Sequence, residues 1–171
     1  MIVDEQTGRI MDGRSGINLI QANINNIQIN EAKEVIPMID IQYTIETEQY
    51  GNKTGNRLFI PANIFRKGFT TPDLKQRVQD IHINYGYLDT DSICLQIPEG
   101  YTIESLPKTC QVTSSFGSFS SSLMIKDKEI CIIHRLLMHR GIYPKEIYKD
   151  FLEFRKQIAA QYSSKIILKK E

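Results

Sequence analysis

Ile39-Asp40-Ile41-Gln42-Tyr43-Thr44-Ile45-Glu46 places an apolar side chain at every second position, with a polar one between each pair. Successive side chains of a strand point to opposite faces, so this period of two reads as a β-strand with one face buried. Upstream, Ile20, Ala22 and Ile24 alternate in one phase and Ile27 and Ile29 in the other, with the slip at Asn25-Asn26. One extra residue in a strand produces such a slip, so a bulged strand is expected, with residues 30–35 closing a hairpin.

The same alternation continues downstream. Arg57–Ile60, ended by Pro61 and preceded by the turn-rich segment 51–56, reads as a third strand. Ile81, Ile83, Tyr85 and Tyr87 alternate, and so do Ile93, Leu95 and Ile97, with Asp89-Thr90-Asp91 as the turn of the hairpin between them. Phe116–Ile125 and Glu129–His139 form another pair joined by Lys126-Asp127-Lys128. One stretch is helical in period: Ile147, Phe151, Phe154, Ile158 and Tyr162 line one face. With Pro144 at its first turn and Glu146 near the positive end of its dipole, a helix is expected over 144–162, followed by a short strand at 165–169. These elements predict a mainly β fold, an antiparallel β-sandwich of about eight or nine strands with one C-terminal α-helix packed on it. We read one continuous domain, in which residues 1–50 hold N-terminal strands at a candidate junction with an upstream domain and residues 51–171 form the main sandwich.

The composition is that of an ordinary globular chain: 171 residues, 41% hydrophobic and 24% charged. At 19.7 kDa, a fold buries about 70% of the extended surface, enough for a core without a metal or disulfide staple. Lys and Arg total 21 against 20 Asp and Glu, a balance that carries no footprint for nucleic acid or an anionic membrane. The longest apolar run, Ile130–Ile133, is far short of the roughly 20 residues of a spanning helix, so no membrane insertion is expected. Residues 1–10 carry Asp4 and Glu5 and have neither a basic nor an apolar leader region, so no signal peptide is expected within this chain. Charge is uneven: the first fifty residues hold three basic and eight acidic side chains, which reads as a solvated face.

Catalysis would need a nucleophile, a base and an orienting group within hydrogen-bond reach. Cys94, Cys110 and Cys131 are odd in number and lack C-x-x-C spacing, so they read as buried, unreactive thiols rather than a disulfide framework or zinc ribbon. Cys131, His134 and His139 are the only close set. On one strand Cys131 and His134 point to opposite faces, and Cys131 and His139 share a face about 26 Å apart, so neither pair forms a dyad. The same parity excludes His134 with His139 as a local metal pair, and His82 joins them only across strands. Glu99, Glu104 and Asp91 fall in turns or strand ends rather than as an acid–base pair, and no phosphate loop occurs among the isolated glycines. The serines from Ser114 to Ser122 lack a nucleophile elbow and read as the solvent face of a strand. Tyr85, Tyr87, Tyr101, Phe116 and Phe119 read as core, and Lys165, Lys169 and Lys170 as protection of an edge strand. No catalytic, cofactor-binding or metal-ligating residue is therefore assigned, and no cofactor is expected.

Three segments carry a resemblance: Ile97-Pro98-Glu99-Gly100-Tyr101-Thr102-Ile103-Glu104-Ser105-Leu106-Pro107, then Phe116-Gly117-Ser118-Phe119, then Gly141-Ile142-Tyr143-Pro144-Lys145-Glu146-Ile147-Tyr148-Lys149-Asp150-Phe151. Their order and spacing resemble the C-terminal β domain of unknown function of multidomain transglutaminase-like proteins of Gram-negative bacteria, over about residues 55–170. The resemblance implies a strand ending in a Pro-x-Gly-Tyr turn, a short strand ending in Leu-Pro, a hairpin opened by the aromatic-Gly-Ser-aromatic segment, and a terminal helix opened by Tyr-Pro. The nucleophilic Cys, His and Asp of the papain-like core have no counterpart here, so no catalytic role is carried over and the chain is expected to be noncatalytic. It resembles the tail of such an enzyme, an accessory domain whose partner is the upstream transglutaminase-like core or another protein, in the periplasm or envelope if the parent is exported. Two rival expectations stand beside it: a free-standing envelope module that binds a peptide or glycan, and a cysteine hydrolase whose Cys and His meet only in the fold.

Overall fold

A computed structural model describes residues 22–48, 50–63, 71–74 and 77–171; the expected start of the first strand, at Ile20, lies outside them. The described strands are β1 (Ala22–Ala32), β2 (Met38–Thr47), β3 (Asn52–Thr54), β4 (Arg57–Pro61), β5 (Ile81–Ile83), β6 (Tyr87–Gln96), β7 (Tyr101–Ser105), β8 (Cys110–Ser114), β9 (Gly117–Lys126), β10 (Glu129–Met138), β11 (Gly141–Tyr143) and β12 (Lys165–Lys170). A 3-10 turn at Lys145–Ile147 leads into α1 (Tyr148–Tyr162). All pairing is antiparallel. The strands form two four-stranded sheets, ordered β6-β10-β9-β8 and β3-β4-β12-β7, and two ribbons, β1-β2 and β11-β5.

The β10 strand organises the interior. Its even-numbered side chains, Ile130, Ile132, His134, Leu136 and Met138, are all buried. Ile130 and Ile132 join Ile60, Ala62, Ile166 and Leu168 of the second sheet in one cluster. Leu136 and Met138 join Phe116, Phe119 and the α1 side chains Tyr148, Phe154, Ile158 and Tyr162 in another. One strand face thus has two covers: a sheet over one half, making the expected sandwich, and a helix over the other.

Backbone chemistry fixes the corners. Gly100, at φ 75, closes the turn in which Tyr101 N–H donates to Pro98 O, as the Pro and Gly spacing predicts. Gly117, at φ 150, lets β9 lie against β10: a Cβ there would sit 1.9 Å from Leu137 O. Asp127 at φ 52 turns the β9–β10 hairpin.

Several expectations need correction. Asp89-Thr90-Asp91 is not a turn: the three residues lie inside β6, opposite Leu136, Arg135 and His134, and the break falls earlier, at residues 84–86. Cross-strand pairing there overrides turn propensity. Tyr85 and Tyr87 are exposed rather than core. Segment 51–56 contains β3, and the first hairpin closes at residues 33–37 rather than 30–35. The strand carrying Lys165, Lys169 and Lys170 is interior, bonded to β4 on one side and β7 on the other, so its lysines protect no edge. Helix α1 begins after Pro144, which precedes the 3-10 turn, and Phe151 is half-buried beside the Phe116 ring.

Phe154 is 2% exposed. Phe154→Ala is expected to cost about 3 to 5 kcal/mol and Phe151→Ala less, read from urea midpoints. An unchanged midpoint for Phe154→Ala would show that the helix is not a structural cover.

Candidate functional site

The first hairpin carries a row of exposed apolar side chains on one face. In β2, Ile39, Ile41, Tyr43 and Ile45 share one side, opposed by Glu31, Ile29, the bulge and Ile24 of β1. The register shifts between Asn25 and Gln28, and Asn26 sits at φ 55, a left-handed conformation that asparagine tolerates better than most residues. That extra residue has a clear effect. Ile24 on one side of it and Ile27 and Ile29 on the other differ in parity, yet the bulge returns all three to the same face as the β2 isoleucines. The expected bulge is present; the expected burial is not, since Ile29 is 65% and Ile41 48% exposed. Towards the base of the ribbon the face is held closer: Ile45 is half-buried, and the Tyr43 hydroxyl pKa is raised by burial and by the Asp91 carboxylate.

Asp91 belongs to a second feature, a polar centre at the seam between the two core clusters. Asn63, just beyond β4, donates from Nδ2 to Asp91 Oδ2 at 3.0 Å and lies 3.1 Å from His134 Nδ1. His134, 1% exposed, stands between the rings of Phe119 and Tyr162, with centroids at 5.7 and 5.3 Å. With one Asn63 hydrogen directed to Asp91 and the other to the imidazole, His134 Nδ1 acts as acceptor. No cysteine enters this group: Cys131 is on the opposite face of β10, as parity predicts. His82 lies on β5 opposite Ile142, and His139 Nδ1 approaches the Ser115 carbonyl at 3.3 Å, so the described histidines do not converge. Glu104 is held by Arg57 through two contacts of 2.6 Å that lower its pKa, while Glu99 lies exposed in a turn. The three carboxylates do not form an acid–base pair.

The other face of the β6-β10-β9-β8 sheet is open to solvent. Ser118, Ser120 and Ser122 lie there as expected, but Ser121 points inward, opposite His134. The cysteine reading also needs correction: Cys94 and Cys131 are directly opposed in register and form a disulfide, S–S 2.03 Å, with Cys94 exposed. Thirty-seven residues of sequence separation hide this pairing, which depends wholly on strand register. Cys110 is free and half-buried, and burial raises its pKa.

A family model of the domain of unknown function DUF3858 matches residues 56–168, from the start of β4 into β12, leaving the β1–β2 ribbon outside the match. No curated protein and no solved structure matches the chain.

Two outcomes test this geometry. Without reductant, the native protein should expose one reactive thiol, Cys110, whose slow alkylation accelerates as pH rises toward its raised pKa; all three should label after reduction in denaturant. Two or more labelled thiols in the native, unreduced protein contradict the pairing. Asn63→Leu should cost about 1 to 3 kcal/mol by leaving Asp91 and His134 without their shared donor, measured by thermal or urea unfolding; an unchanged stability would mean that the seam does not depend on Asn63.

Proposed function

The chain belongs to the DUF3858 family, and on that premise we propose that it serves as a noncatalytic accessory domain docking through the apolar face of the β1–β2 ribbon. The partner on this reading is the transglutaminase-like core of a multidomain bacterial protein, a reading that rests on the resemblance carried by segments 97–107, 116–119 and 141–151. The observation that carries the proposal is the one-sided, uncovered apolar face. A two-stranded ribbon is marginally stable in water, and contiguous exposed apolar surface of this kind marks interaction sites. The opposite face is mostly polar, with Asn30, Asp40, Gln42 and Glu46 and with Met38 and Ala32 at its tip, so the isoleucine side is the one suited to burial. A docked interdomain contact would bury on the order of 600 to 1,500 Å². The Cys94–Cys131 disulfide supports a periplasmic or envelope setting, since such bonds persist in oxidising compartments.

A second reading has its own observation. On the open face of the larger sheet, Thr90, Arg135, Ser120 and Gln111 form one row across four strands, a hydrogen-bonding platform that would suit a free-standing peptide- or glycan-binding module.

Hydrogen exchange of the full chain, alone and mixed with a separately produced transglutaminase-like core, distinguishes them. We expect slower exchange across residues 22–47 in the mixture, and at least tenfold weaker binding for Ile41→Glu with a change in stability within about 0.5 kcal/mol. Unchanged ribbon exchange, or protection confined to the Thr90–Gln111 row, would overturn the docking reading.

A further inference from the structure

We propose that the Cys94–Cys131 pair and Glu129 form a redox-gated zinc site on the open face of the larger sheet: closed as the disulfide, and competent for Zn²⁺ once the two sulfurs are thiolates. The inference is independent of the docking reading and rests on different residues. One ligand atom from each of the three lies within 4.8 Å of the others. Strand register places the sulfurs side by side on adjacent strands, and Glu129, two residues before Cys131, shares its face because side chains alternate along β10.

The carboxylate is already turned toward the sulfurs. Gln96 Nε2 donates to Glu129 Oε1 at 3.2 Å, and Glu129 Oε2 lies 3.7 Å from Cys131 Sγ. This is the arrangement of a metal ligand with a supporting outer partner: one oxygen fixed by an amide, the other free to coordinate. Two thiolates and one carboxylate match the donor preferences of Zn²⁺ and leave one tetrahedral position for water.

The gate is thiol–disulfide exchange with a dithiol reductant. One thiolate of the reductant attacks Cys94 Sγ, the exposed sulfur, forming a mixed disulfide as the Cys94–Cys131 bond breaks and its electron pair leaves with Cys131 Sγ. The second thiolate of the reductant then attacks its own sulfur in that mixed disulfide, closes the reductant's disulfide and releases Cys94. Two electrons and two protons pass to the cysteine pair, and zinc binding returns those protons to solvent.

The test uses the full chain reduced with a phosphine, which does not add competing thiols, and Co²⁺ as a spectroscopic probe later displaced by Zn²⁺. The reduced protein should keep its far-ultraviolet strand signal and bind one Co²⁺ with a thiolate-to-cobalt charge-transfer band that Zn²⁺ abolishes; the oxidised protein should show no band. Cys131→Ser should remove the band, Glu129→Gln should weaken affinity about tenfold or more, and Cys110→Ser should bind as the parent does. Absence of the band in the folded reduced parent, loss of the fold on reduction, or equal binding by Glu129→Gln and the parent would each overturn the proposal.

Discussion

The inward face of β10 is the constraint on which the remaining architecture depends. Four of its five alternating side chains supply both core clusters, Ile130 and Ile132 against the second sheet and Leu136 and Met138 against the helix, with His134 between them. Each fully buried aliphatic side chain contributes on the order of 1.5 to 3 kcal/mol, so both covers are anchored by the same ten-residue strand. A register slip of one residue in β10 would turn that entire set toward solvent and release the sheet and the helix together. Gly117 and the β9 hairpin matter for this reason: they hold the neighbouring strand close enough to keep β10 in place.

Apolar packing alone would let the two covers slide, because it has no direction. The seam at His134 supplies direction. A buried imidazole is tolerated only when hydrogen-bonded, and its donor, Asn63, follows β4 of the opposite sheet and also holds Asp91 of β6. Three segments far apart in sequence therefore meet at one amide group, which fixes how the second sheet sits over the first. Tyr43 stands near Asp91, so the base of the exposed ribbon lies close to the same seam while its tip projects.

What sequence alone makes legible here is parity. Alternation at Ile39–Ile45, the slip at Asn25-Asn26 and the opposite facing of Cys131 and His134 need no knowledge of neighbours, and each agrees with the structure. The helix stripe is also local and is present from Phe151 to Tyr162, with Phe151 half-buried and Ile147 left in the 3-10 turn before the helix. Register and order within a sheet are not local. They make Cys94 and Cys131 partners, place β12 between β4 and β7, and carry β6 straight through Asp89-Thr90-Asp91 despite its turn-forming residues. Asn63 leaves no signal at all, since its partners lie 28 and 71 positions away. The amphipathic first hairpin was readable, but alternation shows only which side can be buried; whether a cover exists depends on what else is present.

The disulfide also has a mechanical consequence. Tension applied to the two ends of this chain would run through the Cys94–Cys131 bond and bypass β7, β8 and β9. The bond shortens the extensible contour by roughly 120 Å, taking about 3.3 Å for each of the 37 positions it spans. The oxidised chain is thus a stiffer link than the reduced one, with the stretch from Cys94 to Cys131 kept slack while the rest bears the load.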